Sequence, residues 1–108
     1  MDNEATPRVY PTNNSGYDFT SAKDAVGEEI ILVPITTGRV NVFHTDSILR
    51  AIKFQVKEFR PEKDYLLISG NSIVAGMVSA VLGAQHLFPI KVLFWDHMNS
   101  KYVARTIS

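Results

Sequence analysis

Apolar and polar positions change period several times along the chain. Over residues 45–59, "TDSILRAIKFQVKEF", Ile48, Ile52, Val56 and Phe59 recur at three- and four-residue intervals, which places them on one face of a helix. Thr45 or Asp46 supplies its N-cap and Pro61 its stop. Residues 64–69 and 90–96 are apolar runs with little alternation, the pattern of strands covered on both faces. Between them, residues 72–87 predict a helix of another kind. From Ile73 to Ala84 only Ser79 has a side chain that can hydrogen-bond, and a helix apolar all round needs cover all round.

The other segments are shorter. "EIILVPI" (29–35) and "VNVFH" (40–44), separated by "TTGR", read as the two arms of a hairpin, with Pro34 at an edge or bulge because it has no amide donor. "RVY" (8–10), between two prolines, reads as a short edge strand. Residues 21–26 predict a single helical turn, with Ser21 and Asp24 at capping-box spacing and Gly27 as the C-terminal cap. "KYVARTI" (101–107) mixes polar and apolar positions as an edge strand does, and closes a second hairpin with residues 90–96. Trp95 and Tyr102 then pack across that hairpin.

Strand, helix, strand, helix, strand from residue 40 to 96 makes two crossover units, which forces three strands to be parallel. The expected fold is therefore a small α/β domain. Its mixed sheet of five or six strands has a parallel centre, β-α-β-α-β, flanked by antiparallel hairpin strands.

Composition narrows the class of function. The chain has 108 residues, 45% of them apolar and 20% charged, and a formal net charge of zero, which suits one ordinary globular core and argues against nucleic acid as a partner. Residues 1–7 read as a flexible N-terminus and 8–108 as one domain. Cysteine is absent, which excludes disulfides, thiolate metal sites and cysteine nucleophiles. The N-terminus carries no basic start followed by an apolar run, and the longest apolar stretch is about half the roughly 20 residues that span a bilayer. Cytoplasmic location without membrane association is the expectation.

Parallel strands gather ligands at their carboxyl ends. Ser69, Gly70, Asn71 and Ser72 stand at such an end, where a sharp turn, a cap and free amides at a helix start suit an anion. The same residues equally serve capping alone. Thr45 and Asp46 are expected at the same edge, whereas residues 36–39, in a hairpin turn, are expected at the opposite one. His44 and His97 are expected to end parallel strands near Asp46 and Asp96, which makes His44, His97 and Asp96 the weak acid/base candidates. The third histidine, His86, suits a helix C-terminus. The three histidines lack metal-motif spacing, so no metal site is assigned and no cofactor is specified. Arg50, Lys53, Lys57 and Arg60 form a basic stripe whose usual meaning is a solvated face.

Gly76, Ala80 and Ala84 repeat at four-residue spacing, as do Ser79 and Gly83, which lets another backbone approach and points to a homodimer. The combined expectation is a non-catalytic module that dimerises and senses or sequesters a small anionic or nucleotide-like ligand at residues 69–72. The alternatives are an interaction or regulatory protein without a small ligand, and a small hydrolase or nuclease using His44 or His97.

Overall fold

The computed structural model describes residues 5–14, 16, 18–85 and 88–108. The elements run in the order β1 (Arg8–Pro11), β2 (Asn13–Asn14), α1 (Ala22–Val26), β3 (Ile31–Leu32), β4 (Thr36–Thr37), α2 (Thr45–Val56), β5 (Tyr65–Leu67), α3 (Ser72–Ala84), β6 (Ile90–Asp96) and β7 (Lys101–Ile107). Five strands form one sheet in the order β3-β1-β5-β6-β7, and β2 pairs with β4 beyond it. All pairings are parallel except β6 with β7. The small α/β class with a mixed sheet and a parallel centre is thus the observed one.

Alternation along the strands explains why their sequences show so little of it. Tyr10, Leu66 and Val92 point to one face and Val9, Leu67 and Leu93 to the other, and all six are buried. The first face is covered by α2 and α3, through Ile48, Ile52, Val56, Val74, Val78 and Leu82. Phe19 and the short α1, through Ala22, cover the second. Each fully buried aliphatic side chain of this kind stabilises by about 1.5–3 kcal/mol.

Several expectations need correction. Residues 8–10 do not form an edge strand: β1 lies inside the sheet, between β3 and β5, because its prolines flank the two buried residues Val9 and Tyr10 rather than interrupt them. Residues 29–35 and 40–44 are not a hairpin. Ile31, Val33 and Ile35 donate to Pro7, just before β1, and to Val9 and Pro11 within it, so Pro34, two residues past β3, has its nitrogen facing away from β1, where no donor is needed. Residues 40–44 form no strand. Asn41 takes the amides of Phe43 and His44 into a turn, and Val40 and Val42 pack against the helix-side core from there. Helix α2 begins at Thr45, with His44 rather than Thr45 or Asp46 in the cap position and no side-chain cap bond. Ser21 likewise makes no cap bond to α1, whereas Gly27 closes that helix in the left-handed conformation.

At its amino end the β1–β5 junction is pinned by a buried charge pair. Asp64 is wholly buried and accepts hydrogen bonds from the amides of Arg8 and Arg60, at 2.9 and 2.8 Å, and from the Arg60 guanidinium, at 2.7 and 3.0 Å. Arg60 also donates to the Thr6 carbonyl. Asp64 thereby holds the Arg60 guanidinium above its already high ordinary pKa. Among the described residues, no helix is long and apolar enough to cross a membrane.

Candidate functional site at the carboxyl edge

The carboxyl end of the same junction is pinned by neutral hydrogen bonds. Thr12, wholly buried, donates its hydroxyl to the Ser69 carbonyl at 2.7 Å and accepts the Ser69 amide at 2.9 Å. Ser69 Oγ donates to the Asn13 carbonyl at 2.7 Å. The Asn13 carboxamide, itself buried, donates to the Gly38 carbonyl at 3.1 Å and accepts from Thr36 Oγ1 at 2.9 Å. Three loops, those after β1, β4 and β5, are therefore tied together where the chain leaves the sheet.

Above this network lies a crevice of about 640 Å³ whose walls include Asn13, Asn14, Gly38, Arg39, Gly70 and Asn71. Gly70 shapes its floor. With φ of +70° and a virtual Cβ only 3.0 Å from the Asn13 side chain, a larger residue there would be strained and would crowd Asn13. Asn71 caps α3, its Oδ1 accepting from the amides of Ile73 and Val74 at 2.7 and 3.4 Å. The amides of Arg39, Gly70 and Asn71 make no hydrogen bond among the described residues. Arg39 is exposed and supplies the one charged side chain of the described lining.

Gly70 also borders a second hollow, of about 520 Å³, on the α1 side of the sheet. Its apolar floor is Phe19, Ile68, Trp95 and Tyr102, and its rim carries Asp18 and His97. Trp95 and Tyr102 meet edge to face, with centroids 5.0 Å apart, as expected for residues paired across the β6–β7 hairpin. Burial, followed by the nearby Asp18 carboxylate, raises the Tyr102 pKa. The Thr20 amide and hydroxyl hold Asp18 below the usual carboxylate range.

The residues singled out from sequence separate into three groups. Gly70 and Asn71 line the crevice and Ser72 opens α3 beside it, while Ser69 lies beneath, with its amide, hydroxyl and carbonyl all engaged. Thr45 and Asp46 are exposed at the start of α2, outside the described lining, because no strand precedes them. His44, for the same reason, ends no strand. His97 follows β6 and borders the aromatic hollow, but Asp96 is turned into its own turn, accepting from Met98 and Asn99. Asn99 is the main reason that its carboxyl lies below the usual range. His86 lies outside the described residues.

Residues 36–39 were expected at the amino edge. The structure puts Gly38 and Arg39 at the carboxyl edge, since β4 runs parallel to β2 rather than back along it. Asn13, Asn14 and Arg39 are therefore lining residues of the candidate site that the sequence reading did not assign to it, although the cluster "TNNSG" after a strand suits a binding loop as well as an irregular connection. A family model described as "Phage Pam3 gp32-like protein" matches residues 3–108. No curated protein and no solved structure matches the chain.

Proposed function

The chain belongs to the phage Pam3 gp32-like protein family, and we propose that it is a non-catalytic, dimeric binding module that holds a small anionic ligand in the carboxyl-edge crevice. One observation carries this reading: Arg39, Gly70 and Asn71, whose amides make no hydrogen bond among the described residues, line one crevice together with the Arg39 guanidinium. Amide donors and a guanidinium suit phosphate or carboxylate oxygens. The strand order, counted along the main sheet as 2-1-3-4-5, is doubly wound and has its switch point between β1 and β5. Crevices at such points are the usual ligand sites of open α/β sheets. Gly70 and Asn71 supply one side of the crevice, with Ser72 beside it at the start of α3, and Ser69 holds that side in place from below.

Dimerisation is assigned to the outer face of α3. Gly76, Ser79, Ala80 and Ala84 are exposed there, beside an Ile73 that is 54% exposed. The Ser79 hydroxyl donates back to the Ala75 carbonyl at 3.0 Å, so its one donor is satisfied within the helix. The same face supports a second reading, in which it docks a different protein and no small ligand is involved.

Calorimetric titration with inorganic phosphate and pyrophosphate at low ionic strength tests the anion site. Saturable binding that weakens about tenfold in Arg39→Gln, as loss of one charge-assisted contact implies, supports it. Equal affinity in the variant, or no binding at millimolar ligand, refutes it.

A further inference from the structure

The two crevices that meet at Gly70 differ in chemistry, and their combination is more selective than either. One offers a cation and backbone amides. The other offers an apolar floor whose largest member, Trp95, is 39% exposed beside an Ile68 that is 37% exposed. Trp95 keeps this exposed surface in the hollow despite its T-shaped contact with Tyr102, so cross-strand packing does not use up its indole. We infer that the anionic ligand is a nucleoside phosphate, its phosphate on the Arg39 side of Gly70 and its base against Trp95. The inference rests on the anion site proposed above.

The geometry of the saddle supports a ligand with two ends. Gly70 belongs to both linings and bears no side chain to separate them. A side chain at this position would crowd Asn13 and strain the backbone. A base lying on Trp95 would meet Asp18 at the rim. One oxygen of that carboxylate, Oδ1, accepts from the Thr20 amide and hydroxyl at 2.9 and 2.8 Å. The other oxygen is engaged by no hydrogen bond among the described residues, and it favours a base edge that carries N–H donors. Stacking is sequence-tolerant while a carboxylate acceptor is not, so guanine, with adjacent ring N–H and amino donors, is the preferred base.

Trp95 is the single tryptophan of the chain, so its emission reports the base site directly. The experiment titrates the full chain with GMP, AMP, UMP and inorganic phosphate, following Trp95 fluorescence together with calorimetry. The expected result is saturable quenching by nucleotides, strongest for GMP, at affinities roughly tenfold to a hundredfold above that of inorganic phosphate. Inorganic phosphate should compete without quenching. Trp95→Phe should weaken GMP several-fold and leave phosphate unchanged, and Asp18→Asn, at an exposed position, should narrow the gap between GMP and AMP. Phosphate binding with no nucleotide quenching, or with nucleotides no tighter than phosphate, overturns the inference and leaves the anion site standing. Absence of binding by both phosphate and nucleotides overturns the two together.

Discussion

Thr12 and Ser69 exchange two hydrogen bonds through one buried hydroxyl, Thr12 Oγ1 donating to the Ser69 carbonyl at 2.7 Å and accepting its amide at 2.9 Å. The pair fixes where β1 ends relative to β5, and so sets the crevice wall. Thr12→Val keeps the shape but leaves the part-buried Ser69 amide and carbonyl unpaired, at up to about 2 kcal/mol for each. A loss of about 2–4 kcal/mol in urea unfolding is expected, with Thr12→Ser much nearer the parent. A valine variant as stable as the parent would mean that water replaces the hydroxyl.

Asp64 is the corresponding pin at the other end. Replacing it by asparagine removes the carboxylate that stands 2.7 Å from the Arg60 guanidinium in the parent. Breaking a buried pair from one side costs about 3–5 kcal/mol. Thermal unfolding should show this as a large drop in Tm. A drop worth less than about 1 kcal/mol would show that the pair behaves as a surface one.

The β6–β7 turn has an acid dependence of defined sign. Asp96 accepts from the Asn99 side chain and from the amides of Met98 and Asn99, which places its native pKa below the ordinary value of 3.8. Its contribution is complete above that value and is lost as pH falls through the native pKa. Amide exchange at Met98 and Asn99, corrected for intrinsic rates, should therefore quicken relative to the rest of the hairpin below about pH 4. In Asp96→Ala that change should be absent. A turn equally protected at pH 2 and pH 7 would contradict it.

The outer face of α3 makes a prediction that does not involve a ligand. Ala80→Lys, at an exposed helical position, should leave monomer stability within about 0.5 kcal/mol while shifting sedimentation from dimer to monomer. If the parent is itself monomeric at high micromolar concentration, this face serves some other contact or none.

Elements that pack through their own periodicity are legible in the sequence. The α2 stripe Ile48, Ile52 and Val56, the apolar runs of β5 and β6, and the closing hairpin all stand where the pattern puts them. What the pattern conceals is pairing between distant segments. β3 has two paired residues and β1 only four, so neither carries enough sequence to show whether its partner lies near or far. Val40 and Val42 imitate a strand because the core needs apolar atoms from that loop, whatever its backbone does. Reading them as a strand places Gly38 and Arg39 at the wrong edge and hides one wall of the candidate site. Gly70 and Asn71 were recoverable, since a glycine and a capping residue between strand and helix have few other places to go.

The position of β1 also bears on how the chain acquires its fold. It precedes the other four strands of its sheet along the chain, yet it lies between β3 and β5, and the bonds that finish its placement reach 57 positions along the chain, from Thr12 to Ser69. Closing so long a loop costs entropy before any contact offsets it. A nascent chain therefore exposes Val9 and Tyr10 until β5 has emerged, and the residues that will form the crevice are organised late, by the same event that buries the first strand.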